Sequence, residues 1–482
     1  MKIPKEELIA ILAQFNPWWR GEKIPDLPTW RRSAYHELLT WIDHPPALRA
    51  VMLSGPRQVG KTTLLLQAID SLLKGQTPPA NILYATFDHP VLKLAGCEAV
   101  LEAWRELEPK AAGIEYLFLD EAQFIPHFGT WAKHQVDFLK QRRIIFTGSA
   151  LPLIHADQES GVGRWHTLRI STLSFYEYLQ IKKISIPNIP SIQTIRDLFS
   201  YTIAERLRAT EATAALIGHF HEYLIRGGFP QTALIESISQ SQRLLREDII
   251  DKVLKRDMTA LFGVRRVLEL EHMFIFLCMH DGGIQDIGTL SRNLGITKST
   301  VNHFIDLLQS SHLVYRLPPY GYGKEVLRAR YKLYLADPAI APAILMKGKT
   351  PLENAAALGT CVETAVVSHL SSHGNAYEAR FSYWRNAKEN EVDLLLEIND
   401  RLIPFEVKYH SQRVQQNDIP GLIDLCRQKS TIEAAYILTK SPQDIGPLEH
   451  NETPSTPLMR IPTAIFCYWL GESEISQRCI IS

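Results

Sequence analysis

The chain has 482 residues, with 52 Lys and Arg against 52 Asp and Glu, and a formal net charge of zero. A hydrophobic fraction of 45% and a charged fraction of 22% exclude a disordered chain, and the balanced charge excludes a chain-wide basic field for nucleic acid or anionic membrane. No run approaches the ~18 unbroken apolar residues of a membrane helix, "MKIPKEELIAILAQ" lacks a secretory apolar core, and the six cysteines form no CxxC pair.

The chain therefore reads as a cytoplasmic, reduced protein of about three domains, by a prior of roughly 150 residues each. Residues 1–45 read as an N-terminal helical segment. Within it "FNPWWRG" places Trp18 and Trp19 ahead of the core, either as a packing brace or as a platform for stacking bases.

The next segment, 46–182, opens on a short apolar strand, Val51 to Leu53. Gly55, Pro56, Arg57, Gln58, Val59, Gly60, Lys61 and Thr62 follow and fit GxxxxGK[ST]. Thr63 and the apolar spacing of Leu64, Leu65, Ala68, Ile69 and Leu72 then predict a helix. A strand feeding a glycine loop at a helix start cradles phosphate with backbone N–H groups. ATP is the expected cofactor, with Lys61 on its outer phosphates and Thr62 holding Mg²⁺.

"IEYLFLDEAQ" supports that reading. A buried strand ending in Asp120 places a carboxylate beside the loop, able to share the Mg²⁺ with Thr62. Glu121 stands next to it as a candidate general base for the attacking water. "RRIIFTGSALPL" predicts another buried strand, whose end brings Thr147 and Ser149 toward the terminal phosphate. Arg164 in "SGVGRWHTLRI" reads either as a finger for phosphate charge or as a surface arginine, and a finger acting across subunits implies a homo-oligomer.

"IKKISIPNIPSIQ" marks a linker, and 183–270 reads as a helical lid broken by the turn "YLIRGGFPQTAL" at Gly227, Gly228 and Pro230. Residues 271–345 predict a helix-turn-helix with a wing. Lys298, Ser299, Asn302 and His303 fall on the exposed face of its second helix. Lys324, Arg328, Arg330 and Lys332 are expected along the wing, suited to phosphate contact. The same layout serves as a protein–protein joint, so DNA and protein partners both stay open.

The last segment, 346–482, contains "FSYWRNAKENEVDLLLEINDRLIPFEVKYH", read as three strands with Glu391 to Ile398 and Leu402 to Tyr409 as a hairpin. Glu406 and Lys408 share a strand face, and Asp393 is expected roughly opposite Lys408. Two carboxylates beside a lysine can hold a divalent cation and orient water. Glu363, on a preceding helix, supplies a fourth member. The alternative is a buried ion-pair network with no catalysis.

"FNPWWRG", "GPRQVGKTTLL", "YLFLDEAQ", "WAKHQVDF", "FTGSA", "SGVGRW", "LSFYEYL", "GGFPQ", "KLYLADPAI" and "EVDLLLE…PFEVKY" together span nearly the whole chain. In these pieces the chain resembles the prokaryotic AAA-type P-loop ATPases that carry a C-terminal domain of unknown function. The set Glu363, Asp393, Glu406 and Lys408 resembles the core of the PD-(D/E)xK nucleases, with Glu391-Val392 before Asp393 where a proline is common. The resemblance implies an α/β chain: a P-loop core with a parallel sheet, a helical lid, a winged helix-turn-helix and a restriction-endonuclease-like C-terminal domain. Three functions follow as expectations: an ATPase acting on DNA, a nucleotide-driven DNA nuclease, and a nucleotide-gated switch that binds a protein and cuts nothing.

Overall fold

The computed structural model describes residues 3–107, 113–148, 163–321, 330–375, 377–449 and 456–481. The chain forms two compact units: residues 1–170 with 260–263 and 310–312, and residues 171–259, 264–309 and 313–482.

The first unit is built on β1 (Ala50–Ser54), β2 (Ile82–Thr86), β3 (Glu115–Asp120), β4 (Arg142–Gly148) and β5 (Trp165–Arg169), in the order β2-β3-β4-β1-β5. Every pairing is parallel. A parallel sheet covered on both faces requires strands without alternation, and β1 is buried at all five positions. Parallel strands also put all their carboxyl ends on one side, which brings Ser54 and Asp120 to the same edge of the sheet.

β2 is an edge strand, and the N-terminal motif covers it. Asn16 Nδ2 donates to the Tyr84 carbonyl at 2.8 Å, and Asn16 Oδ1 accepts from Tyr84 N at 2.7 Å. Trp18 and Trp19 both donate their indole N–H to the Ile82 carbonyl, at 3.2 and 3.0 Å. Both tryptophans are thus spent on an edge that would otherwise offer free backbone groups, the brace of the two readings.

In the second unit, β6 (Ile284–Gln285), β7 (Val314–Leu317) and β8 (Tyr331–Leu335) form an antiparallel sheet in the order β6-β8-β7. Two helices precede β7. Ile287–Leu294 is capped by Asp286, which accepts from Thr289 N at 2.7 Å, and it ends at Gly295 with φ of 64°. Lys298–Ser310 follows and buries Val301, Phe304, Ile305, Leu307 and Leu308. Lys298, Ser299, Asn302 and His303 are exposed, and Lys324 and Arg328 lie outside the described residues.

A six-stranded sheet closes the chain: β9 (Arg380–Arg385), β10 (Glu391–Ile398), β11 (Arg401–Lys408), β12 (Ala435–Thr439), β13 (Gly446–Leu448) and β14 (Leu458–Pro462). Its order is β13-β14-β12-β11-β10-β9. The helices Ala355–Asn375 and Thr463–Ile475 are buried over most of their length, polar residues such as Ser368, His369 and Ser473 included.

The "GGFPQ" and "KLYLADPAI" motifs, far apart in sequence, meet at Asp337. The buried carboxylate accepts from Gly228 N at 2.7 Å and from Ala339 N at 3.0 Å. A Cβ on Gly227 would lie 2.3 Å from Asp337 Oδ1, and Gly227 has φ of 80°, so both the angle and the space require glycine there. Burial raises the Asp337 pKa, and the two backbone donors oppose that rise.

Candidate nucleotide site and carboxylate cluster

At the end of β1 the chain enters the loop 55–60 and then the helix Lys61–Lys74. A Cβ on Gly55 would lie 2.0 Å from the Ile170 carbonyl oxygen, so only glycine passes there. Gln58 and Gly60 take left-handed angles, φ of 62° and 93°, which curl the loop. Arg32 Nη1 donates to the Val59 carbonyl at 2.9 Å and braces the loop from outside. The Lys61 ammonium folds over the curl, donating to the carbonyls of Gly55 and Pro56 at 2.8 and 2.6 Å.

Thr62 Oγ1 donates to Asp120 Oδ2 at 2.7 Å. The residues expected to share a metal are therefore in contact, although β4 stands between β1 and β3 in the sheet. Asp120 is buried and accepts two further hydroxyls: Tyr84 at 3.0 Å and Thr147. Burial, then the neighbouring Asp120 charge, pushes the Tyr84 phenol well above its usual range, so it stays a donor. Thr147 Oγ1 also accepts from the Glu121 backbone N–H at 2.8 Å. One threonine thus ties both acids. Glu121 has φ of 55°, an angle uncommon for a non-glycine residue, and its carboxylate accepts from Gln123.

Ser149 lies outside the described residues. Arg164 does not join this group. Its position just before β5, in register with the residue before Ala50, puts it at the amino edge of the sheet, roughly 20 Å of strand from Gly55 at about 3.3 Å per residue. It pairs there with Asp137, Nε to Oδ1 3.3 Å. Arg169, five residues on, pairs in register with Ser54 and is exposed at the loop edge. Sequence spacing cannot tell which end of a strand an arginine occupies until the pairing is known. His312 was also missed: its Nε2 lies 2.9 Å from Ser54 Oγ, with φ of 56°. Burial first, then the Lys61 and Arg169 charges, hold its imidazole down to about 3.

The second unit holds the other candidate cluster. The turn Asn399-Asp400, with φ of 49° and 62°, has two left-handed residues, so β10 and β11 are joined by a two-residue turn. Leu394 pairs with Phe405, which sets Asp393 against Glu406 and not Lys408. The expected register was two residues off because the turn is tighter than the sequence suggests. Asp393 N donates to Glu406 Oε2 at 3.3 Å, and Val407 N donates to Asp393 Oδ2 at 2.9 Å. Lys408 pairs with Glu406 at 2.6 Å.

Lys332 departs most from expectation. It is not on an exposed wing: its side chain is 3% exposed, and its Nζ lies 2.5 Å from Glu391, 3.3 Å from Asp393 and 3.5 Å from Glu363. Burial alone would lower its pKa, but Asp393, Tyr334, Glu363 and Glu391 together raise it well above the usual lysine range. Burial, then the Asp393 charge, raises Glu406 to about 8 and Glu363 to about 7. Among the described residues, no group of three or more His, Cys, Asp or Glu side chains has the arrangement of a metal site.

Comparison with known proteins bears on the front of the chain first. Residues 48–179 match a family model described as an AAA domain. The AAA segment contains the phosphate loop, Asp120 and Glu121, so the chain has a P-loop NTPase core with a parallel sheet. Residues 217–350 and 358–456 match two families described as domains of unknown function, DUF8612 and DUF4143. An uncharacterized protein of Mycobacterium tuberculosis is 28% identical over 385 residues, 78% of this chain and 74% of its own length. An uncharacterized protein of Haemophilus influenzae is 24% identical over 298 residues, 59% of this chain and 66% of its own.

Among solved structures, the Aeropyrum pernix ORC1 protein in complex with DNA covers 69% of this chain and 97% of its own, at 12% identity and a TM-score of 0.29. AMPPCP-bound DnaA from Aquifex aeolicus covers 59% and 92%, at 14% identity and a TM-score of 0.26. Among the described residues no helix is long and apolar enough to cross a membrane.

Proposed function

We propose that the chain is a cytoplasmic, magnesium-dependent ATPase whose turnover acts on DNA. The observation that carries the ATPase reading is the 2.7 Å contact of Thr62 with Asp120 at the mouth of the phosphate loop. A hydroxyl and a carboxylate so placed fit Mg²⁺, which takes hard oxygen ligands. Thr62 and Asp120 would hold it, and bound with ATP it would neutralise charge on the outer phosphates. Lys61 then exchanges loop carbonyls for phosphate oxygens. Asp120 is held by Tyr84 and Thr147, and the Thr62 hydroxyl stands beside it on the side of the phosphate loop. Glu121 accepts the proton of the attacking water, held in place by its Thr147 tie and its neighbour Gln123. Arg169 stands at the same edge for phosphate charge, and Arg164 serves only a neighbouring subunit of a homo-oligomer.

The DNA part rests on the exposed Lys298, Ser299, Asn302 and His303 of a helix that follows a short turn, the layout of a reading helix. The burial of Lys332 removes one expected phosphate contact from it. A second reading, metal-dependent DNA cleavage, is favoured by the convergence of Glu363, Asp393, Glu406 and Lys408. The test is ATP turnover of the purified protein alone, with duplex and with branched DNA, scoring cleavage in Mg²⁺ in the same tubes. Stimulation by DNA supports the proposal, and cleavage supports the second reading. Turnover indifferent to DNA overturns the DNA part and leaves a switch that binds protein.

A further inference from the structure

Strands alternate their faces, so Lys332 and Tyr334 of β8 point the same way. Ile284 and Leu317 flank Lys332 across the sheet, and a lysine so enclosed is costly unless its charge is matched. Here it is more than matched. Glu363 from the helix Ala355–Asn375, and Glu391 and Asp393 from β10, all turn carboxylate oxygens on one ammonium. Tyr334 OH accepts from the same ammonium at 3.2 Å and donates to Glu363. An ammonium has three protons, and this one has four acceptors around it.

Carboxylates drawn from separate elements onto one point are what a divalent cation requires. The Lys332 ammonium contacts both Asp393 and Glu363, two of the acids that would hold such an ion. The Glu406 carboxylate meanwhile accepts from the Asp393 backbone N–H, and the Asp393 carboxylate accepts from the Val407 backbone N–H, so both acids are held by strand backbone. Lys408, paired with Glu406, has its side chain 29% exposed at the rim, unlike Lys332.

We propose that Lys332 is a built-in cation that occupies the carboxylate cluster in place of a divalent metal, so that β8 holds this site closed to metal. The inference goes beyond the ATPase reading and does not depend on it. Any metal-dependent chemistry at Asp393 and Glu406 then requires Lys332 to leave first. Glu391 is the residue that retains it, since one of its oxygens makes the shortest contact to the ammonium while the other faces Arg385 at 3.9 Å.

The experiment is a titration of the full chain with Mn²⁺, without nucleotide, reading free Mn²⁺ by electron paramagnetic resonance. Compared with wild type, Lys332→Met is expected to gain one site per chain, or to tighten the weak one by roughly tenfold or more. Adding Asp393→Asn to Lys332→Met must remove that gain, which assigns it to this cluster and not to Thr62 and Asp120. Glu391→Gln keeps the packed atoms and loosens the ammonium, and it should move Mn²⁺ binding in the same direction. That variant decides the matter if circular dichroism shows Lys332→Met unfolded. The proposal is overturned if wild type already binds Mn²⁺ through Asp393 as tightly as Lys332→Met. It is equally overturned if the folded variants gain nothing.

Discussion

Thr62 and Asp120 touch at 2.7 Å, although one begins a helix and the other ends a strand two places away in the sheet. Their meeting is a product of parallel topology, which gathers strand ends on one edge. Lys61, adjacent to Thr62, is held over the same edge by two loop carbonyls. Replacing Lys61 with Ala removes the charged donor from the cradle. ATP affinity should fall by roughly a hundredfold, about 3 kcal/mol, measured with a fluorescent nucleotide. The thermal midpoint without nucleotide should change little.

Gly55 offers a purely steric test. A methyl group there would sit 2.0 Å from a backbone oxygen, which cannot move aside like the tip of a flexible side chain. Gly55→Ala should destabilise the first unit by about 3 kcal/mol, the upper end for overpacking, and weaken ATP binding with it. Urea denaturation followed by tryptophan fluorescence reads the first effect.

His312 makes the first unit acid-sensitive. Its folded pKa is depressed to about 3, so below the ordinary histidine value of about 6.5 the unfolded chain takes up a proton that the folded chain refuses. Stability is therefore complete above about pH 6.5 and declines as pH falls toward 3, by about 2 kcal/mol at pH 5. His312→Asn should flatten that slope in urea melts at pH 7.5 and 5.

The carboxylate cluster titrates in the opposite sense. Glu406 and Glu363 have folded pKa values raised to about 8 and about 7, chiefly by burial. The folded state holds protons that the unfolded chain releases above about pH 4.5, so stability of the second unit is full below that pH and is lost as pH rises toward 8. Glu406→Gln should reduce the loss between pH 5 and 8, seen as a smaller shift of the second unfolding transition. Lys332→Ala, by contrast, leaves buried carboxylates uncompensated and should cost about 3–5 kcal/mol at pH 7.

Local features were legible. The phosphate loop, its helix and the strand ending in Asp120 follow from apolar runs and glycine spacing, and strand Glu391–Ile398 has the limits its pattern predicts. Placement across the fold was not. The Asp393 register turned on the angles of Asn399 and Asp400, where either a two-residue turn or a longer one fits the letters. Arg164 and Arg169 are equivalent in sequence until pairing assigns strand ends. Lys332 looked like a wing lysine because nothing local reveals a contact with Asp393, 61 residues away. Asp337 likewise explains a glycine pair 109 residues earlier through one hydrogen bond.

The central claim is ATP hydrolysis with Glu121 as the base beside Thr62 and Asp120, and single-turnover hydrolysis by Glu121→Gln tests it most directly. The account predicts that this variant binds ATP and Mg²⁺ with wild-type affinity and hydrolyses it roughly a hundredfold or more slowly, the scale of a lost general base. Hydrolysis at the wild-type rate with Glu121 replaced would contradict it.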